Sequence, residues 1–178
     1  ICNPLGMYST MFLPLTKEVK TNKIASTEKC EYRKSVITGE VHDEKAFVMG
    51  GIAGHAGLFS TTEDLLKFTK MLLNNGVIDE VKVMSSRTIK LLRKIYATDS
   101  EETRTLGWIT NNSYHGMGDY ASDTAIFHTG FTGTSIIVDF DQDMSFVLLT
   151  NRIHTNRNNP GLIINRGRIH NLVYLSLE

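Results

Sequence analysis

The chain is short of the residues that staple, kink or anchor a protein. It holds two cysteines, three prolines and one tryptophan in 178 residues. Cys2 and Cys30 are far apart and form no C-x-x-C, so spacing yields neither a disulfide framework nor a zinc site; pairing in an oxidising compartment and two separate thiols both stay open. No apolar run approaches the roughly 20 residues that cross a bilayer, and no charged-then-apolar leader opens the chain. Neither sign of charge is in excess. Lys+Arg and Asp+Glu both number 19, so no net field draws in nucleic acid or an anionic membrane surface. What is present, 41% hydrophobic and 21% charged residues, is the make-up of an ordinary globular domain. The chain opens on Ile1-Cys2-Asn3-Pro4 without an initiator methionine. That reads as a start inside a longer protein, and the missing leader then assigns no compartment.

Residues 1–50 carry two early prolines and little apolar periodicity, which predicts long loops with short helical pieces that line a site or wrap a neighbour. Next comes a glycine-rich stretch, Gly50 to Gly57, that permits close backbone approach to a ligand or another segment. It is no phosphate loop, lacking G-x-x-x-x-G-K-[ST]. Ser60-Thr61-Thr62-Glu63 has capping-box spacing with Ser60 as N-cap. Leu65, Leu66, Phe68, Leu72 and Leu73 then follow at helical intervals up to Asn74-Asn75-Gly76. A second helix is predicted from Ser85-Ser86 through Ile95, its Arg87, Lys90, Arg93 and Lys94 forming a solvated face.

After a polar linker at Thr98 to Thr103 the period shortens. Leu106–Thr110, Ala125–His128, Thr134–Phe140 and Ser145–Asn151 read as strands, with turns at Asn111-Asn112, Gly130 to Gly133 and Asp141 to Asp143. Pro160 starts a last helix whose Leu162, Ile163, Ile169, Leu172, Val173 and Leu175 would pack on the sheet. The expected fold is α+β: N-terminal loops and helices, then an antiparallel sheet of about three to four strands covered by a C-terminal helix. Residues 1–178 form a single partial domain, 1–100 mostly helices and loops and 101–178 strands plus the last helix.

The informative strand ends in Phe127-His128-Thr129-Gly130 and re-enters at Thr134. A glycine after a threonine at a strand edge lets an extended acyl group lie against the backbone. An imidazole one residue earlier can donate to a carboxylate or move a proton. The tripeptide alone is common. It gains weight from His128-Thr129-Gly130-Phe131-Thr132-Gly133-Thr134, an acidic turn, and Phe146 to Arg152, which together resemble the end of class C β-lactamases, D-alanyl carboxypeptidases and related esterases. In that family a K-T-G or H-x-G box precedes a strand, a turn and an L-[TA]-N-[KR] strand end. Asn3 to Thr10 resembles the family's P-L-G-M-x-x-T segment, and Gly54 to Leu65 its G-L-x-S-T-x-x-D-L segment. Three segments in family order cover nearly the whole chain.

The resemblance implies a serine hydrolase of the β-lactamase and penicillin-binding-protein type. In such enzymes an S-x-x-K box supplies the nucleophile, a Y-x-N tyrosine shuttles protons, and the K-T-G strand binds substrate and helps form the oxyanion hole. It implies an assisting catalytic role for His128 and substrate-binding roles for His128, Thr129, Gly130, Phe131, Thr132, His55, His42 and Arg152. No cofactor or metal is implied. The two earlier family boxes lie upstream of P-L-G-M. The S-x-x-K at Ser26-Thr27-Glu28-Lys29 sits after it in a polar run, and Tyr120-Ala121-Ser122 reads as a surface loop, so the chain is expected to form no acyl-enzyme by itself. Histidine in place of lysine favours peptidase, amidase or esterase over lactamase chemistry. The implied partner is a small-molecule or peptidoglycan-derived substrate, with self-association through an exposed sheet edge. Two other readings compete: a non-catalytic binding module of the same fold, and a metal-dependent hydrolase using His42, Asp43, His55 and His128, which lacks a local ligand pair.

Overall fold

A computed structural model describes residues 1–98, 102–110 and 115–177. The elements in chain order are β1 (Met11–Phe12), β2 (Lys29–Cys30), β3 (Ser35–Val36), α1 (Glu44–Val48), β4 (Leu58–Phe59), α2 (Thr62–Leu73), β5 (Val77–Ile78), β6 (Val81–Lys82), α3 (Ser86–Arg93), β7 (Ala97–Thr98), β8 (Thr103–Arg104), β9 (Ile109–Thr110), β10 (Ile126–Thr129), β11 (Thr134–Asp139), β12 (Met144–Leu149) and α4 (Gly161–Leu175). Six strands form one antiparallel sheet in the order β12-β11-β10-β9-β8-β7. The mixed α+β class and the C-terminal helix agree with the sequence reading. The sheet is wider than expected, because β7 and β8 pair with each other at the two ends of the polar stretch Thr98 to Thr103. The predicted strand at Leu106–Thr110 is regular only at Ile109–Thr110. The predicted Asn111-Asn112 turn lies outside the described residues.

Both faces of the sheet centre are buried. Ile126 on β10 stands opposite Val138 on β11, and both join Leu5, Met7, Met71, Leu72, Ile78 and Ile89 on the side of α2 and α3. The next pair, Phe127 and Ile137, faces the other way and packs with Ile109, Met117, Ala125, Met144 and Tyr174 of α4. Successive strand residues point to opposite faces, so one pair of strands seeds two cores. Fully burying each such side chain contributes about 1.5–3 kcal/mol. At the start of α2 the cap is Thr61, whose hydroxyl accepts from the Asp64 amide, and not Ser60. Ser60 Oγ is 2.8 Å from Thr10 Oγ1.

The final helix departs most from its sequence pattern. Its buried residues are Arg166, His170 and Tyr174, while Ile163, Ile164, Leu172 and Leu175 are exposed. The reason lies in β11, which presents polar groups to this helix. Ser135 Oγ is 3.1 Å from His170 Nε2, and Tyr174 donates from its hydroxyl to Asp139 Oδ2 at 3.0 Å. Asp139 is fully buried and also accepts from Ser122 N at 2.9 Å and Ser122 Oγ at 2.5 Å. A buried carboxylate persists when its lone pairs are filled. Those bonds also anchor Ala121-Ser122, so the segment read as a surface loop is pinned to the sheet; Ala121 is buried, and Tyr120 alone of the three is exposed.

His170 lies against the rings of Phe127 and Phe146, at 5.7 and 5.4 Å between centroids. Burial pushes its pKa down from 6.5 to about 4, against the smaller opposing pull of the Gly116 and Met117 backbone. The unfolded chain therefore binds the extra proton across that interval. Stability is full above pH 6.5 and declines as the pH falls from 6.5 towards 4, by at most about 3 kcal/mol. Urea denaturation across this range should show the decline in the native chain, and His170→Gln should flatten it.

Candidate active-site strand

The motif segments outside the sheet prove to be fasteners. β1 pairs antiparallel with β4, Met11 opposite Phe59 and Phe12 opposite Leu58. Asp64, buried at the start of α2, accepts from Ser9 N at 2.8 Å and Thr10 Oγ1 at 2.9 Å. Lys67 Nζ, 3.3 Å from Asp64 Oδ1, donates to Gly6 O at 2.6 Å. The P-L-G-M segment and the S-T-x-x-D-L segment thus hold each other. The glycine-rich loop between α1 and β4 also closes on itself. Gly57 has φ +111°, and a Cβ there would strike the Gly51 carbonyl. Glycine is required by backbone meeting backbone within the loop.

Around His128 the sheet opens. β9 pairs with β10 only at Ile126 and Phe127, whereas β11 continues the ladder to Thr129, opposite Ser135. Gly130 N then donates to Thr134 O at 2.8 Å. Backbone groups alternate in direction along an antiparallel strand. Since the Gly130 amide points to β11, the Thr129 amide and carbonyl point to the side that β9 leaves uncovered. A Cβ on Gly130 would collide with Thr134 Oγ1, which accounts for the glycine.

His128 is exposed. Its Nδ1 lies 2.9 Å from Thr129 O, and its ring meets the edge of Trp108 at 6.5 Å and 83°. A carbonyl can only accept, so in the neutral ring Nδ1 carries the proton and Nε2 keeps its lone pair. The strand end therefore offers an orientated imidazole acceptor beside a backbone donor. Trp108, the single tryptophan, precedes the first β9 residue, where pairing with β10 stops; its place became visible only with the register.

The remaining candidates fall into two groups. His42, Phe131 and Arg152 come together: the His42 and Phe131 rings stack at 5.6 Å and 14°, and the Arg152 guanidinium lies 4.7 Å from the Phe131 centroid. Arg152 directs Nε to Phe131 O at 2.9 Å and Nη1 to Arg157 O at 3.0 Å, and its amide to Thr132 O at 2.9 Å. These donors brace the Phe131-Thr132 turn. His55 instead stands 3.1 Å from Asp43 Oδ1, a carboxylate held below its usual range first by the Ala46 amide and then by His55. Asp43 also caps α1.

Sequence reading missed Glu28 and Arg157. Glu28 is buried, sits 3.3 Å from His42 Nε2 and accepts from Arg157 Nε at 2.7 Å and from Arg157 Nη2. Arg157 also reaches Glu44 at 2.8 Å. The Arg157 hydrogen bond is the main reason the Glu28 carboxyl stays below its usual range. Ser26 of the S-x-x-K lookalike lies on irregular backbone with Oγ 2.7 Å from Thr38 Oγ1, not at the head of a helix. Among the described residues no cluster of three or more His, Cys, Asp and Glu side chains is placed to hold a metal.

The chain belongs to the β-lactamase family, whose model, described as Beta-lactamase, matches residues 1–169. A protein of Escherichia coli K12, provisionally named D-alanyl-D-alanine carboxypeptidase, is 38% identical over 172 residues, covering 87% of this chain and 39% of that protein. The N-acetylmuramyl-L-alanine amidase of Bacillus subtilis 168 is 37% identical over 167 residues, covering 85% of this chain and 37% of that enzyme. The chain therefore spans about two fifths of these relatives. Among solved structures, a β-lactamase from Mycobacterium bovis superposes with a TM-score of 0.62 at 20% identity, over 99% of this chain and 53% of that one. Simvastatin synthase from Aspergillus terreus does so with 0.61 at 14% identity, over 96% and 47%. The structural likeness defines the β-lactamase and transpeptidase fold, of which this chain carries a part.

If Asp64 is a fastener, Asp64→Ala should lower unfolding free energy by about 1–3 kcal/mol, the loss of a buried carboxylate that accepts from Ser9 N and Thr10 Oγ1. Urea titration measures it, and the amide resonances of Thr129 and Gly130 should stay in place.

Proposed function

We propose that this chain, as a single partial domain, is the substrate-binding portion of a serine acyl hydrolase acting on a peptidoglycan-derived peptide or related amide. The observation that carries the reading is the open side of β10 at His128 and Thr129, where β9 stops pairing and β11 does not. An extended substrate laid there meets the Thr129 amide as a donor, and a strand edge recognises such a chain through its main-chain groups. Donors preorganised on a rigid sheet stabilise charge developing on a carbonyl oxygen without reorganising. His128 Nε2, with Nδ1 tied to the strand, is placed to accept a proton from substrate or to hold it in register. Names borne by the relatives, a carboxypeptidase and a muramyl amidase, favour amide substrates, as histidine does in place of lysine.

In this reading the chain supplies the binding edge and not the nucleophile, so chemistry and binding separate experimentally. Incubation with penicillin or a fluorophosphonate should leave the intact mass unchanged. Titration with D-alanyl-D-alanine or N-acetylmuramyl-L-alanine should shift the amide resonances of Thr129 and Gly130, and His128→Ala should weaken this by about tenfold, the worth of one hydrogen bond to a well-placed group. A stoichiometric adduct on Ser26 would overturn the division of labour, and ligand shifts confined to other surfaces would overturn the strand assignment.

No helix among the described residues is long and apolar enough to cross a membrane. The outer edge of β12 has no strand partner among the described residues, and α4 exposes Ile163, Ile164, Leu172 and Leu175. Such edges and apolar patches support self-association. Sedimentation velocity should show mass rising with concentration, and Leu172→Lys should suppress it. A monomer at every concentration tested would refute this.

A further inference from the structure

Phe131 is both exposed and braced. It leaves 58% of its surface to solvent, yet its ring is held by named partners. His42 stacks on it at 5.6 Å and 14°, Arg152 lies 4.7 Å from its centroid, and its carbonyl accepts from Arg152 Nε at 2.9 Å. An exposed aromatic with nothing to do gains little from such bracing, whereas a ring orientated in advance gives a ligand a contact without a fresh ordering cost.

The bracing runs back into the protein. His42 is buried and its Nε2 faces Glu28 Oε1 at 3.3 Å. Glu28 is gripped by Arg157 through both carboxylate oxygens, and Arg157 also holds Glu44 at the start of α1. Asn151, at the end of the β12 segment, donates through Nδ2 to Ser26 O, and Lys29 N donates to Thr155 O at 3.0 Å. The 26–44 segment is thereby locked to the loop after β12, and His42 is held where Phe131 needs it.

We infer that Phe131 is a specificity-determining residue at the mouth of the His128-Thr129 edge, taking an alkyl group next to the substrate amide, and that Glu28 and His42 are positioning residues that act through it. This rests on the substrate-strand reading above. It also removes His42 from the set of substrate contacts, because its ring face is covered by Phe131 and its Nε2 is turned to Glu28. Phe131 stands two residues beyond Thr129, at most about 7 Å along the chain, which is within reach of the group next to a ligand amide held at Thr129.

The test compares N-acetylmuramyl-L-alanine with N-acetylmuramyl-glycine, which differ by one methyl group, by titrating each into the full chain and following the Thr129 and Gly130 amides. The native chain should prefer the alanine ligand by about fourfold, the worth of one buried methyl. Phe131→Ala should bring the ratio to about one. His42→Gln should lower it as well, while His42→Phe, which keeps a ring stacked on Phe131, should retain it; Glu28→Gln should behave as His42→Gln. A merely structural role for His42 would lower stability in both His42 variants and leave the ratio alone. An unchanged ratio in Phe131→Ala overturns the specificity assignment and leaves the strand reading standing. A ratio lost in Phe131→Ala but intact in His42→Gln overturns the positioning role. If neither ligand shifts the strand amides of the native chain, both this inference and the strand reading fail together. Phe131 is exposed, so its variant folds and decides the question even where Glu28→Gln does not fold.

Discussion

The rest of the structure hangs on the register between β10 and β11. Ile126 against Val138 and Phe127 against Ile137 send alternate side chains into two separate cores. A slip of one residue would exchange the two sets and turn His128 to the opposite face, because strand side chains alternate strictly. The same register sets Thr129 opposite Ser135 and brings Gly130 N to Thr134 O. The orientation of the Thr129 amide towards the open side is thus fixed by hydrophobic burial two residues earlier. Site geometry and core packing are one constraint, paid for once.

The polar inner face of α4 follows from the same alternation. Ser135, Ile137 and Asp139 share the face of β11 that meets α4, and the helix answers with His170 and Tyr174. Burying these groups costs desolvation that only satisfied partners offset. Buried polar pairs of this kind restrict the ways a helix can sit on a sheet. Here they leave Ile163, Ile164, Leu172 and Leu175 outside, which is why amphipathicity alone does not find the inner face.

Legibility in the sequence divides along the range of the interactions involved. The helices α2 and α3 behind their cap residues, α4 behind Pro160, and the β10-turn-β11-turn-β12 order are legible because capping spacing, an initial proline, period two and turn residues are local signals. The H-T-G strand end was recognised from its motif and neighbours in the chain. Trp108, Glu28 and Arg157 were invisible because each acts through a partner brought in by folding; Glu28 and Arg157 are 129 positions apart. The motif segments at 3–10 and 54–65 were recognised for what they resemble, and their physical content, a carboxylate at Asp64 tying one to the other, emerged only from the contacts.

Near the H-T-G turn the charged and aromatic side chains divide their roles. Arg152, a candidate for binding a substrate carboxylate, directs its donors to the carbonyls of Phe131, Arg157 and Asn159. An arginine whose fork is committed to backbone acceptors has fewer donors to give a ligand, and moving it would release the turn that carries Phe131. Beside it at the strand end stand the His128 Nε2 lone pair, the Thr129 amide and the open part of the Phe131 ring. One accepts, one donates and one is apolar, the complement of an amide flanked by an alkyl group. Behind them Glu28 is buried and gripped by Arg157, and Arg152 braces the turn through the Phe131 carbonyl, so the charged residues hold that arrangement still.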